Sequence, residues 1–132
     1  MSVKYLAVLV AAIAAIAFVL GYYRLLMKQW IAAVGLKKSA FKAGPPPLAM
    51  IFLVVGYLLA AWMLAAIIGY VGPITIRAGI ISGALVWLGF ALPVIAINYV
   101  FQKRPIELTL IDAGGWLGSL VIMGGVIGAF GK

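Results

Sequence analysis

Four long apolar runs divide this chain, covering residues 5–23, 48–70, 78–101 and 108–130. Each approaches or exceeds the length of about 20 residues that carries an α-helix across a hydrocarbon core of roughly 30 Å. Inside hydrocarbon no water can satisfy backbone N–H and C=O groups, so a spanning run must hydrogen-bond to itself and is expected to be helical. The fold expected is all-α: a polytopic membrane protein with four transmembrane helices in one compact bundle over residues 1–132. The first run follows Lys4 and contains Ala-x-Ala sequences, as a signal peptide would. Its length exceeds that of a signal h-region, so it is read as a span.

Composition narrows the chemistry. Hydrophobic residues make up 67% of the chain and charged residues only 9%, a balance that would aggregate as a water-soluble domain. There is no cysteine and no histidine. That excludes disulfides, thiol catalysis, histidine acid–base chemistry and histidine-ligated haem or zinc. Glu107 and Asp112 are the only carboxylates, too few for the carboxylate-rich metal sites of helical bundles. No catalytic set, metal or cofactor is therefore expected. The formal charge of +8 superficially suggests nucleic acid. In a membrane chain it reads instead as basic residues gathered on the cytoplasmic side, and no nucleic-acid partner is expected.

Residues 24–47 form the basic loop. Leu26, Trp30, Ala33 and Val34 share a face at helical spacing, which predicts a short interfacial helix after the first span, with Trp30 at headgroup level. Gly35 suits its left-handed end. Lys37, Lys38 and Lys42 form a cluster suited to anionic lipid headgroups, or simply an ordinary basic cytoplasmic loop. Pro45, Pro46 and Pro47 stiffen the entry to the second span.

Within the spans, small residues recur at helical spacing. Ala7, Ala11, Ala14 and Gly21 form one stripe. Gly114, Gly118, Gly125 and Gly128 form a helix-packing face on the last span, fit for intramolecular packing or for self-association. Tyr57 lies deep in the second span and needs a hydroxyl partner, which turns it toward the bundle. The short VGPITIR turn predicts that spans two and three pack as a hairpin. Pro93 predicts a kink in the third span. Pro105 and Glu107 suit the first and third positions of the last helix.

Counting basic residues sets an orientation. With four spans, Lys4, Arg77 and Lys132 share one side, against Arg24, Lys28, Lys37, Lys38, Lys42, Lys103 and Arg104 on the other. Three against seven predicts both termini outside, in a bacterial cytoplasmic (inner) membrane. The same topology gathers Arg24, Asn98, Arg104 and Asp112 into one polar intramembrane cluster. A mid-membrane carboxylate costs about 2.5–3.5 kcal/mol on insertion scales, so Asp112 needs partners. Arg24, Arg104 and Asn98 are the first candidates, with Tyr22, Tyr23 and Thr109 as further donors. Asp112 then either locks spans together or binds a proton or cation.

Two stretches carry a family resemblance. Near the start these are Tyr22, Tyr23, Trp30 and Gly35 after an alanine-rich span. Near the end they are Trp87, Gly89, Phe90, Asn98, Phe101, Arg104, Leu108, Ile111, Gly114 and Met123. In these the chain resembles the domain of unknown function 1761 family of small bacterial membrane proteins. The family often has an asparagine at the position of Asp112, and an aromatic directly after the glycine at Gly114, where this chain has Gly115 and then Trp116. The resemblance implies a four-span bundle and brings no activity with it. The residues themselves point to a non-enzymatic accessory or interaction subunit, packing with itself as a homo-oligomer or with a larger membrane complex. The alternative is a small oligomeric transporter or channel built on Asp112 and Asn98.

Overall fold

The computed structural model describes residues 4–35 and 44–131. Lys37, Lys38, Lys42 and Lys132 lie outside the described residues. The elements run α1 (Tyr5–Leu25), α2 (Met27–Val34), α3 (Pro47–Val71), α4 (Ile76–Val86), a π-helical turn (Trp87–Ala91), α5 (Leu92–Phe101) and α6 (Ile106–Phe130). Among the described residues, four helical spans are long and apolar enough to cross a membrane, the third being Ile76–Phe101 taken through its π-turn. Their ends fall within two residues of those read from hydropathy.

Local chemistry explains where the helices stop. Leu26 leaves helical geometry and separates α2 from α1. Gly35 then closes α2 in the left-handed conformation, with φ of 82° and its N–H on the Ile31 carbonyl. Pro47 occupies the first turn of α3, where its missing N–H costs no helical bond. Thr75 caps α4: its Oγ1 accepts from the Ala78 N–H at 3.0 Å. Pro105 stands just outside α6 as its N-cap, and Glu107 falls in the first turn, one position earlier than the spacing predicts.

Pro93 acts through an insertion. Lacking an N–H, it cannot bond the carbonyl of Gly89, and the helix takes up a π-turn immediately before it. There the Leu92 N–H reaches the Trp87 carbonyl. Such single turns relieve a broken i→i−4 ladder inside an otherwise regular helix.

α6 is the hub of the bundle. It packs along α4 and α1, and also touches α3, α5 and α2. α3 lies mainly on α1, whereas contact between α3 and α4 is slight. The hairpin expected between spans two and three is thereby replaced by two other pairings. The reason is surface shape. Gly79 and Gly83 let α4 press onto the backbone of α6, while α1 and α3 both bury alanines, Ala11, Ala12 and Ala15 with Ala61 and Ala65. The small-residue stripe on α1 is correspondingly rotated: Ala7 and Ala11 are buried, but Ala14 is half-buried and Gly21 faces outward.

The core is closed by Leu64, Ile68, Met123 and Ile127, all nearly inaccessible. Tyr57 is buried as expected and stacks on Trp116 with ring centroids 4.9 Å apart and planes 13° from parallel. Its hydroxyl lies 2.8 Å from Ser119 Oγ. Ser119 gives its own proton to the Gly115 carbonyl at 2.8 Å. The Tyr57 hydroxyl is then the donor of the pair, and no buried side-chain nitrogen or oxygen among the described residues lacks a partner.

Candidate functional site

Asp112 lies two turns into α6, in a segment ringed by aromatic donors. α1 ends in an adjacent pair of tyrosines whose rings meet edge-on, with centroids 5.3 Å apart. Because α1 and α6 are antiparallel, this end of α1 reaches the start of α6. Tyr22 Oη donates to the Ile111 carbonyl at 2.6 Å. Tyr23 Oη donates to Asp112 Oδ1 at 2.5 Å. From α5, Tyr99 Oη donates to Asp112 Oδ2, also at 2.5 Å. From the π-turn, Trp87 Nε1 donates to the Ala113 carbonyl at 2.7 Å. Three helical segments therefore converge, through four aromatic side chains, on three consecutive residues of α6.

Each carboxylate oxygen takes one short, charge-assisted hydrogen bond. Phenols serve well here because their rings are apolar enough to lie among helices while the hydroxyl answers the charge. Trp30 extends the collar, its ring edge-on to Tyr23 at 6.1 Å.

The arrangement differs from the expected cluster of Arg24, Asn98, Arg104 and Asp112. Arg24 is exposed at the end of α1 and is not among the partners of Asp112. Tyr23 takes the inward position, and the next residue is turned about 100° around the helix. The same step in α5 turns Asn98 outward, exposed, once Tyr99 faces Asp112. Arg104 is engaged elsewhere: its guanidinium donates to the Val34 carbonyl at 2.9 Å. That carbonyl is at the C-terminus of α2, where a cation complements the helix dipole.

Arg104 is aimed there by the end of α5. Lys103 adopts a positive φ of 58°. Its N–H bonds the Val100 carbonyl at 3.0 Å, and the Arg104 N–H bonds the Tyr99 carbonyl at 2.9 Å. Together these form a Schellman closure with lysine in the position usually held by glycine.

The glycine face of α6 is consumed inside the bundle. A Cβ on Gly118 would enter the Phe18 ring, and one on Gly114 would meet Tyr22 Oη at 2.6 Å. A Cβ on Gly128 would strike the Thr75 backbone, and one on Gly125 would touch the Ile80 side chain at 3.5 Å. The first two accommodate α1 and the other two the start of the third span. The face is thus an internal seam and not a surface open to a partner.

Two donors of the site, Trp87 and Tyr99, are absent from the sequence-derived cluster. Both had a signal. An indole N–H or a phenol in a membrane span must find an acceptor. Tyr99 also lies six residues before Pro105 and Asp112 seven after it, so an antiparallel hairpin puts the two at one depth.

An open apolar groove of ≈ 410 Å³ lies between α1 and α3, lined by Tyr5, Val8, Val55, Leu58, Leu59 and Trp62. It offers shape without chemistry.

The model of the family described as "Protein of unknown function (DUF1761)" matches residues 6–128. The chain belongs to the DUF1761 family. No curated protein and no solved structure matches it. In this DUF1761 protein the match takes in all but the outermost residues of the four spans and every member of the aromatic collar.

Proposed function

We propose that this DUF1761 protein is a non-enzymatic helical-bundle subunit of the bacterial cytoplasmic membrane. It works by packing against another membrane helix, from a second copy or a larger complex, along the outward face of its third span. The observation that carries this reading is the poor burial of that span. Only 11% of its apolar window is buried, against 28%, 33% and 39% for the other three. α5 has no buried residue at all. Leu85, Leu88, Phe90, Val94 and Ile97 all point outward. Among them, on the π-turn, sits the exposed Gly89, with open space where a Cβ would go. A small residue flanked by large apolar ones is a seat for a neighbouring helix.

The orientation proposed has both termini outside. Lys4 Nζ reaches the Phe130 carbonyl, which puts the start of α1 and the end of α6 at one end of the bundle. Arg104 on Val34 brings the end of α2 and the 102–105 turn together at the other. Arg24, Lys28, Lys103 and Arg104 lie toward that second end, which is read as cytoplasmic and in contact with anionic headgroups.

Native mass spectrometry of the protein taken in nanodiscs from its own membrane tests the proposal. A discrete homo-oligomer or a stoichiometric complex is expected. A uniform monomer would overturn it.

A second reading, a small oligomeric transporter or channel, is favoured by one feature, the carboxylate of Asp112 held inside the membrane by two phenols. Asn98, exposed on α5, has no part in it.

A further inference from the structure

We propose that copies of this chain assemble into a closed ring, in which the Trp62 indole of one copy donates to the π-turn backbone of the next. This rests on the docking reading above, and names both the partner and the contact.

The acceptors come from an imbalance in the third span. The Leu92 N–H bonds the Trp87 carbonyl, and Ala91 is the N-cap of α5, so its carbonyl takes the first regular bond of that helix. Pro93 has no N–H. The carbonyls of Leu88, Gly89 and Phe90 are left to share a single helical N–H, that of Val94. None of them takes a side-chain donor from the described residues. All three residues are exposed, and Gly89 has no side chain to cover the backbone there. Gly89 stands at the middle of the 26-residue span. No water reaches that depth, so a carbonyl without a donor is costly and calls for one from outside.

A matching donor lies on the chain's own surface. Away from the ends of the described spans, Trp62 and Asn98 are the exposed side chains that carry an N–H or O–H. Asn98 is nine residues from Gly89 on the same span, about 14 Å along the axis and out of reach. Trp62 is 44% exposed, and its N–H has no acceptor among the described residues. Spans two and three meet at the turn between Val71 and Ile76. Counted from that turn at ~1.5 Å per residue, Trp62 lies about 14 Å deep and Gly89 about 20 Å. The indole leans toward the N-terminus of α3, away from the turn, which narrows the difference. Trp62 also lines the α1–α3 groove. The groove holds no reactive group, but its apolar walls suit Leu88 and Phe90 on either side of the bare Gly89. Two third spans facing each other would leave these carbonyls unanswered, since neither carries a donor at their level. Groove against span is a heterologous contact, and copies sharing one membrane orientation close it into a ring.

Leu59→Cys in the groove and Leu88→Cys on the π-turn, both exposed positions, are placed on separately tagged chains and co-expressed in the native membrane. A disulfide joining the two tags is expected, and none when either variant is expressed alone. The doubly substituted chain should give a ladder of cross-linked species that ends at one ring size. Trp62→Phe keeps an aromatic side chain and loses the N–H. It should weaken self-association about three- to tenfold, as loss of a hydrogen bond between membrane helices does, measured by energy transfer between labelled copies diluted in liposomes. Unchanged association of Trp62→Phe would overturn the proposal. So would an oligomer that lacks the cross-link between the two tags, or a Leu88→Cys chain that cross-links to itself or to a different protein. Each of these leaves the docking reading standing. A monomeric protein with no cross-link at all would overturn both.

Discussion

Gly79 of α4 and Gly124 of α6 face each other so closely that neither can carry a methyl group. A Cβ on either one would collide with the carbonyl oxygen of the other. Gly83 repeats the relationship one turn on, against the Leu120 carbonyl. Without water to drive helices together, such backbone approach is how membrane helices gain contact. The third span, otherwise little buried, is held to the bundle chiefly by this seam.

Gly79→Ala is therefore expected to destabilise the bundle by about 1–3 kcal/mol, the usual cost of forcing volume into a packed contact. Gly56→Ala is the matched control, because nothing lies within 4 Å of its Cβ position. It should be neutral or stabilising by up to about 1 kcal/mol. Unfolding in a mixed-micelle denaturant series measures both, and equal midpoints for the two variants would contradict the seam.

The spans themselves could be read from hydropathy because the membrane leaves a backbone one choice. Gly35 and Tyr57 were legible for the same kind of reason: a left-handed closure wants glycine, and a buried phenol wants a partner. Helix pairing was not legible. Gly79 and Gly124 look no different in sequence from Gly56 or Gly21, which face open space, because periodicity gives a face and not the helix it meets. The partners of Asp112 were misread for a related reason. Charge complementarity favoured Arg24 and Arg104, but the side chains that α1 and α5 turn toward Asp112 are the tyrosines Tyr23 and Tyr99.

The hydroxyl relay from Tyr57 through Ser119 to Gly115 is expected to be cooperative. Tyr57→Phe leaves the Ser119 bond to Gly115 intact and should cost about 0.5–1 kcal/mol. Ser119→Ala removes both bonds and leaves the Tyr57 hydroxyl buried without an acceptor, which should cost more, about 1–3 kcal/mol. The double variant should then be less destabilised than the sum of the two. A double-mutant cycle with no coupling would contradict the relay.

Lys103 holds a conformation that costs a non-glycine residue roughly 1 kcal/mol or more. Lys103→Gly is expected to stabilise the end of α5 by about 1 kcal/mol while keeping the Schellman closure. The check is a raised thermal midpoint with slower hydrogen exchange at Arg104. A lowered midpoint would show that the lysine side chain contributes more than the strain it imposes.

Arg104→Gln should uncouple α2 from the 102–105 turn. The contact is exposed, so global stability should change by less than about 1 kcal/mol. Hydrogen exchange should accelerate locally, in α2 and not in α1. Unchanged exchange across Met27–Val34 would mean that α2 is held by other contacts.

The central claim is that the outward face of the third span meets another helix, and a chain with no native cysteine allows a direct test. Leu88→Cys, on that face, and Ile13→Cys, on the outward face of α1, are both exposed positions. Disulfide cross-linking of each in the native membrane compares the two. The account predicts a single discrete cross-linked species from Leu88→Cys, or its protection by a bound partner, and neither from Ile13→Cys. Equal, diffuse reactivity at both positions would mean that the third span faces only lipid, and would contradict the account.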